Sequence, residues 1–179
     1  RDPRNIVHCE DVTRRRHNLE RTLADNPNAL DGFYDAHIDI DSRMYPSPDS
    51  IREWCLDYPM ATRPFFLCEY IHGMGNGPGG IKEYIDLFWK YDECFGGCVW
   101  EYCDHSVQVT LPDGKKAYMY GGDFGDKPNQ HNFCVDGYVF PDRRIHVGLM
   151  ELKTAYQPFT AELLDIQDGT VEIKNRRFF

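Results

Sequence analysis

The chain has 179 residues, of which 20 are Lys or Arg and 29 are Asp or Glu, so its formal net charge at pH 7 is −9. This acidic balance argues against binding to a nucleic-acid backbone or to an anionic membrane surface. A hydrophobic content of 41% is typical of a globular domain and not of a disordered tail. No stretch approaches the roughly 18 apolar residues of a membrane span, and residues 1–4 lack the apolar run of a secretory signal. We therefore expect neither a membrane anchor nor export.

The seven cysteines are odd in number, and a chain of this length does not need disulfides to fold. None of their spacings is the C-x-x-C pair that a zinc knuckle supplies. We therefore expect reduced, buried structural thiols and a cytoplasmic location, in preference to a zinc site.

The first regular elements are predicted from residue 36 onwards. Residues 36–40 have the pattern of a strand, and Ser47 followed by Pro48 predicts the start of a helix. Pro59 ends that helix. Its apolar face follows the i, i+3, i+4, i+7 spacing and consists of Ile51, Trp54, Cys55 and Tyr58.

A second strand and a second helix follow. Residues 64–68 form a continuous apolar run, which is typical of a strand that is covered on both sides. A loop over 69–80 with five glycines leads into an amphipathic helix, and residues 98–100 form a third strand. Ile81, Tyr84, Ile85, Phe88 and Tyr91 make up the apolar face of this helix. Strands alternating with helices at this spacing predict an α/β fold with parallel strands.

The remainder of the chain has the signals of antiparallel structure. Asp113-Gly114 predicts a hairpin turn between strands at 107–110 and 117–120. Asp168-Gly169 predicts another between 161–166 and 171–174. A β-type region is predicted to begin near His146.

Three candidate functional residues come from the rule that the working groups of parallel α/β folds lie at the carboxyl ends of the strands. Glu69 follows the strand at 64–68, Tyr45 follows the strand at 36–40, and Trp100 closes the third strand together with Glu101. Aromatic rings beside a carboxylate suit a sugar, because its C–H face stacks on the ring while its hydroxyls find polar partners. The alternative is that Glu69 forms a salt bridge at the strand end and that the aromatic rings belong to the core.

Three ordered motifs, the last of them in two parts, carry a family resemblance. Residues 64–76 read PFFLCEYIHGMGN, residues 96–104 read GGCVWEYCD, and residues 120–126 and 132–137 read YGGDFGD and NFCVDG. In this order they closely resemble β-galactosidases of glycoside hydrolase family two. The similarity is strong over residues 60–150 and weak over 11–35.

The resemblance implies a TIM barrel flanked by β-sandwich domains. The expected fold is α/β, a partial TIM (β/α)8 barrel with about strands five to eight, followed by the first strands of a β-sandwich. The expected domains are residues 1–145, the C-terminal half of the barrel, and residues 146–179, the start of the sandwich.

The resemblance also implies a retaining mechanism with two carboxylates. Glu69 matches the catalytic nucleophile at the end of the seventh barrel strand. Tyr45 matches the tyrosine that hydrogen-bonds this nucleophile. His72 and Trp100 match residues that bind the sugar.

A sodium site is implied at two further residues. Phe133 matches a ligand through its backbone carbonyl, and Asp136 matches a ligand through its side chain. Some family members have asparagine where this chain has Asp136, which adds negative charge near the nucleophile. The magnesium ligands of the family lie upstream of the matching region, so magnesium is not expected to bind this chain.

The general acid/base of the family sits on an Asn-Glu pair, and no Asn-Glu pair occurs in this chain. Glu10 and Glu101 are the local carboxylates that could substitute, but neither matches the acid/base position. We therefore expect a fragment that is inactive alone and associates with the rest of the same polypeptide or with a complementing chain. The complete protein is expected to be a homo-oligomer that hydrolyses terminal β-D-galactose from β-galactosides such as lactose.

Two alternatives remain open at this point. The chain could be a non-catalytic, carbohydrate-binding or complementing segment that needs a partner half-barrel. β-Glucuronidases and β-mannosidases share the family architecture, but residues 69–76 and the region around Phe133 look galactosidase-like.

Overall fold

The computed structural model describes residues 39–56 and 63–177, and within them the central feature is a sheet of three parallel strands. The strands are β1 (Asp41–Met44), β2 (Phe65–Tyr70) and β3 (Cys94–Val99), and they lie side by side in this order. The predicted α/β class and parallel pairing are therefore confirmed. The expected partial barrel has about four strands and the described residues contain three, so the partial barrel stays a prediction.

Strand β1 lies later in the chain than predicted. Residues 36–38 are outside the described residues, and the strand begins at Asp41, which pairs with Phe65 of β2. Asp41 and Ser42 are buried although they are polar, and Arg63 lies 4.0 Å from the Asp41 carboxylate. A search for apolar residues could not place this strand, because its two buried positions carry polar side chains.

The helix predicted at Ser47 begins where expected. The Ser47 hydroxyl accepts a hydrogen bond from the backbone N–H of Ser50 at 3.1 Å and caps helix α1 (Pro48–Ser50). The chain then continues as a π-helix (Ile51–Leu56), in which the hydrogen bonds span five residues instead of four. Of the predicted apolar face, Ile51 is buried, and the side chains of Trp54, Cys55 and Tyr58 lie outside the described residues. The predicted stop at Pro59 lies outside the described residues.

Strand β2 is longer than predicted and includes Glu69. The parallel ladders continue past Cys68, with Glu69 opposite Met44 and Tyr70 opposite Val99. Glu69 is therefore the second-last residue of the strand, and not the first residue after it. Strand β3 likewise begins earlier than predicted, at Cys94, and Trp100 directly follows it.

Helix α2 (Ile81–Lys90) confirms the predicted amphipathic helix, with Ile81, Ile85 and Leu87 buried. The hydrophobic core lies where this helix packs on the sheet, and it also receives Leu152 from a later helix. The residues fully buried in it are Ile51, Leu67, Tyr70, Ile81, Cys94 and Tyr138.

Both predicted hairpins form. Strands β4 (Val107–Thr110) and β5 (Lys116–Met119) pair antiparallel, and Gly114 in their turn has a φ of 82°. Strands β6 (Phe159–Asp165) and β7 (Thr170–Asn175) also pair antiparallel. A glycine suits a turn with positive φ because it has no Cβ to clash with the backbone.

The β-type region predicted to begin near His146 was wrong for its first residues. Helix α3 (Val147–Ala155) occupies this stretch, and strands begin only at Phe159. Leu152 is buried in the core, and this packing favours a helix although its sequence has no clear amphipathic pattern. The domain boundary between residues 145 and 146 stays a prediction.

Four cysteines whose side chains the structure describes carry free thiols: Cys68, Cys98, Cys103 and Cys134. Cys94 is buried as predicted, whereas Cys98 is exposed. In the two described stretches, no helix is long and apolar enough to cross a membrane.

Candidate active site

The three strand-end residues predicted from the sequence lie at the same edge of the sheet. The backbone N–H of Tyr45, directly after β1, donates to the carbonyl oxygen of Glu69 at 2.9 Å. The backbone N–H of Trp100, directly after β3, donates to the carbonyl oxygen of Tyr70 at 3.1 Å. The parallel ladders thus bring Tyr45, Glu69 and Trp100 together, as expected for carboxyl ends of parallel strands.

The side chains of Tyr45 and Glu69 also interact. Burial raises the pKa of the Tyr45 phenol, and a hydrogen bond to the Glu69 carboxylate raises it further. The phenol therefore stays protonated and donates to the carboxylate. Tyr45 remains 41% exposed, so this pair lies at an open side of the structure.

The His72 ring lies between two aromatic rings of the same site. Its centroid is 5.7 Å from that of Tyr45 and 5.6 Å from that of Phe133. The backbone N–H of Met74 donates to Nδ1 at 3.4 Å, while Nε2 lies 3.5 Å from Oδ2 of Asp136. A neutral imidazole that accepts at Nδ1 carries its proton on Nε2. His72 therefore directs an N–H donor at Asp136.

Asp136 connects the residues that the resemblance assigned to sugar binding. It is only 2% exposed, and its Oδ2 accepts a hydrogen bond from Trp100 Nε1 at 3.1 Å. The same oxygen faces Nε2 of His72. One carboxylate oxygen thus contacts both the indole and the imidazole.

The other oxygen of this carboxylate, Oδ1 of Asp136, is buried and has no hydrogen-bond partner. An unsatisfied buried oxygen is costly, so it fits a bound cation or a donor group of a ligand. A carboxylate oxygen is a suitable ligand for a hard cation such as sodium, so Asp136 fits its predicted role. The structure places Phe133 in the same site through its ring contact with His72. The sodium site itself stays a prediction.

The described part of the chain contains no metal site built from several acidic, histidine or cysteine side chains. Among residues 39–56 and 63–177, no group of three or more His, Cys, Asp or Glu could hold a metal ion. A sodium site made by one carbonyl and one carboxylate is not a group of this kind.

Glu101, which sequence analysis considered only as a substitute acid/base, lies in the site. Its Oε2 lies 3.0 Å from Nε2 of His105, and its carboxyl group lies beside the Asp136 carboxylate. Burial and the neighbouring Asp136 raise the pKa of Glu101, and His105 partly offsets this. No local sequence signal indicates the contact with Asp136, because the two residues come from separate segments. Glu10, the other carboxylate considered, lies outside the described residues.

The arrangement can hold a sugar ring and attack it. Glu69 offers a carboxylate at the open end of the sheet, and the Tyr45 phenol fixes its orientation. His72 and Trp100 offer flat rings that suit the C–H face of a sugar, while their ring N–H groups are directed at Asp136.

Comparison with known protein families gives a match over most of the chain. Residues 1–161 match the profile of the glycosyl hydrolases family 2, TIM barrel domain. A β-galacturonidase of the same family from Eisenbergiella tayi, solved with galacturonate bound, aligns with 66% of this chain and 23% of that chain at 21% identity. Its TM-score of 0.39 is too low to add to the family assignment.

Several β-galactosidases are similar in sequence. The Staphylococcus xylosus β-galactosidase is 46% identical over 144 residues, which are 80% of this chain and 14% of that protein. The Aeromonas hydrophila β-galactosidase is 43% identical over 130 residues, 73% of this chain and 13% of that protein. The Clostridium acetobutylicum β-galactosidase is 37% identical over 179 residues, 100% of this chain and 18% of that protein. The chain thus spans less than a fifth of the length of these relatives.

Proposed function

We propose that this chain, which belongs to the glycosyl hydrolases of family 2, carries the nucleophile half of the active site of a retaining β-galactosidase. The observation that carries the proposal is the Tyr45–Glu69 pair at the carboxyl ends of parallel strands. A carboxylate that is held by a phenol donor and stays accessible at a strand end meets the needs of a glycosidase nucleophile.

In the proposed reaction, Glu69 attacks the anomeric carbon of the sugar and the bond to the leaving group breaks. The product of this step is a glycosyl ester on Glu69, which water hydrolyses in a second step. The Tyr45 phenol orients the carboxylate for attack, and His72 and Trp100 bind the sugar. Two inversions at the anomeric carbon leave the released sugar with its original β configuration.

The proposed substrate is a terminal β-D-galactosyl residue. This part of the proposal rests on the similar proteins from three organisms, all of which are named β-galactosidases. The β-glucuronidase and β-mannosidase alternatives have no such support among these relatives.

A retaining mechanism needs a second carboxyl group about 5–5.5 Å from the nucleophile. Glu101 does not match the acid/base position of the family, and in the structure it pairs with His105 beside Asp136. We propose that the general acid comes from a part of the protein that this chain does not include. The partner would be the rest of the same polypeptide or a complementing chain, and the complete protein a homo-oligomer located in the cytoplasm.

A sodium ion held by the Phe133 carbonyl and the Asp136 side chain would supply a positive charge that attracts sugar hydroxyls. The chain's own part is to supply one buried carboxylate oxygen without a hydrogen-bond partner. Asp136 also orients His72 and Trp100 through its other oxygen.

The different-class alternative is a carbohydrate-binding or complementing segment without a catalytic role. The experiment that separates the two is hydrolysis of an aryl β-galactoside by the complete protein that carries these residues, followed by NMR of the sugar as it forms. We expect β-galactose to appear first and Glu69→Gln to abolish turnover. Glu151→Gln is the matched control, since Glu151 is exposed on helix α3. Turnover that survives in Glu69→Gln, or an α-galactose first product, would overturn the proposal.

A further inference from the structure

We infer that Asp104 is a positioning residue of this site, which holds Asp136 in place and through it His72 and Trp100. The inference rests on the proposed function, because it assigns a role in the same site. Asp104 belongs to none of the strands and touches none of the residues assigned to the sugar. Its contacts with the segment that carries Asp136 support the role.

Both carboxylate oxygens of Asp104 are used. Its side chain is only 3% exposed, Oδ1 accepts the backbone N–H of Gly137 at 2.8 Å, and Oδ2 lies 2.9 Å from Nε2 of His146. The backbone N–H of Asp104 donates to the carbonyl oxygen of Val139 at 3.0 Å. One buried residue thus holds three points of the chain between residues 137 and 146.

The segment that carries Asp136 lies alongside residues 101–105. The N–H of Glu101 donates to the carbonyl oxygen of Asp136 at 3.2 Å, and the N–H of His105 donates to that of Cys134 at 2.8 Å. Cys103 and Val139 form a parallel bridge between the two stretches. The Asp104 carboxylate adds a side-chain contact to this backbone pairing.

Gly137 shows how closely the two stretches approach. A Cβ at this position would fall against the backbone N of Asp104 and the backbone carbon of Cys103. The glycine therefore lets the turn after Asp136 lie directly on Asp104. A change at Asp104 acts on the residue that immediately follows Asp136.

His146 links this arrangement to helix α3. Its ring stacks on Phe140 at a centroid distance of 3.8 Å, and it directly precedes the helix. Helix α3 is fixed to the core by Leu152. The Asp104–His146 contact therefore connects a rigid element to the turn that carries Asp136.

Trp100 and His72 both depend on the position of Oδ2 of Asp136. This oxygen accepts the hydrogen bond of Trp100 and faces the Nε2 of His72. A displaced Asp136 would release both rings together. Misplacement by about 1 Å at a reacting site can lower a rate by ~10²-fold.

The test compares four variants of the complete protein that carries these residues. Asp104→Ala removes both side-chain contacts. Asp104→Asn keeps them, because its oxygen can accept from Gly137 and its amide can donate to a neutral His146. His146→Phe keeps the stacking on Phe140 and removes only the Nε2 contact. Asp142→Asn is the matched control, since Asp142 makes a similar pair of contacts with Arg144 on the exposed surface.

The first readout is the rate at which an activated 2-fluoro-galactoside inactivates each protein, measured well below its unfolding temperature. We expect Asp104→Ala to be ~10²-fold slower than the wild type. Asp104→Asn should stay within about tenfold, as expected for a change in one hydrogen bond. Asp142→Asn should match the wild type.

The second readout is the fluorescence of Trp100, taken as the difference between each protein and its Trp100→Phe version. We expect Asp104→Ala to change it and Asp142→Asn to leave it unchanged. A merely structural role would lower the unfolding temperature and move neither readout. Wild-type inactivation rate and Trp100 emission in Asp104→Ala would overturn the inference.

Two further outcomes have a defined meaning: a variant that does not fold, and a wild type that is not inactivated. If Asp104→Ala does not fold, the inactivation rate of His146→Phe is the test. A rate about tenfold below that of the wild type supports the inference. A rate equal to that of the wild type overturns it. If the wild type itself is not inactivated, the proposed function fails, and the Trp100 emission still decides the positioning role.

Discussion

Two glycines of the loop between β2 and α2 have very different surroundings. Gly73 directly follows His72, and its N–H donates to the carbonyl oxygen of Trp100 at 2.8 Å. A Cβ on Gly73 would lie 2.5 Å from the carbonyl oxygen of Asp136. A Cβ on Gly79 would meet nothing within 4 Å, and Gly79 has no positive φ. The loop is therefore packed against the site at Gly73 and free at Gly79.

Alanine at these two positions should separate packing at the site from general loop effects. We expect Gly73→Ala to slow inactivation by a 2-fluoro-galactoside ~10²-fold, because the added methyl group pushes His72 and Asp136 apart. Gly79→Ala should leave the rate unchanged and stabilise the fold by about 0.4–1 kcal/mol, since it restricts the unfolded chain. Equal rates for the two variants would contradict the close approach at Gly73.

Helix α2 contributes to the fold through one buried face. Ile85 is 3% exposed in the core, whereas Lys82 is exposed and pairs with Asp86 on the outer face. We expect Ile85→Ala to lower the free energy of unfolding by about 2–5 kcal/mol, because it leaves a cavity. Lys82→Ala should cost no more than about 0.5 kcal/mol. Urea unfolding of the complete protein measures both, and equal losses would contradict the assigned packing.

Some elements could be predicted from the sequence because their signals are local. The apolar spacing of α2 and the Asp-Gly turns of both hairpins involve neighbouring residues. Strand β1 and helix α3 were misplaced, because packing on distant elements decides them. Asp41 is polar yet buried in β1, and Leu152 fixes α3 to the core.

The residues of the site also divide into those with a local sequence signal and those that only distant contacts bring together. The strand-end rule alone indicated Tyr45, Glu69 and Trp100, because their positions follow from the order of the elements. Contacts between distant segments gave no signal. Asp104 and Gly137 are 33 residues apart in sequence, and only the folded chain brings them together.

At the scale of the whole molecule, the β6–β7 hairpin keeps an exposed apolar face, and among the described residues no third strand pairs with it. Phe159, Leu163, Val171 and Ile173 lie on this face, and each is about half exposed or more. The opposite face carries Lys174, which pairs with Glu162 and Glu172. An isolated two-stranded hairpin is at best marginally stable, so this face needs a cover.

The isolated chain of 179 residues should therefore self-associate. We expect sedimentation velocity at micromolar concentration to show species larger than the monomer of 20.9 kDa. The pair of substitutions Leu163→Lys and Ile173→Lys should reduce the association, and Thr160→Lys on the opposite face should not. A monodisperse monomer with a cooperative unfolding transition would contradict this account.

The isolated chain should also lack normal turnover of β-galactosides. A general acid typically contributes ~10²–10⁴-fold to such a reaction, and lost pocket walls remove positioning as well. Hydrolysis of a nitrophenyl galactoside by the purified chain measures this. Rates equal to those of the complete protein would show that the chain supplies its own acid.

The identity of the nucleophile is tested most directly by trapping the glycosyl ester. A 2-fluoro-galactoside with a good leaving group forms the ester but hydrolyses it slowly, because fluorine destabilises both transition states. In the complete protein, we expect peptide mapping to place the added sugar mass on the peptide that contains Glu69. Glu69→Gln should abolish labelling without a change in fold. A label on Glu10 or Glu101, or one that persists in Glu69→Gln, would contradict the assignment of Glu69 as the nucleophile.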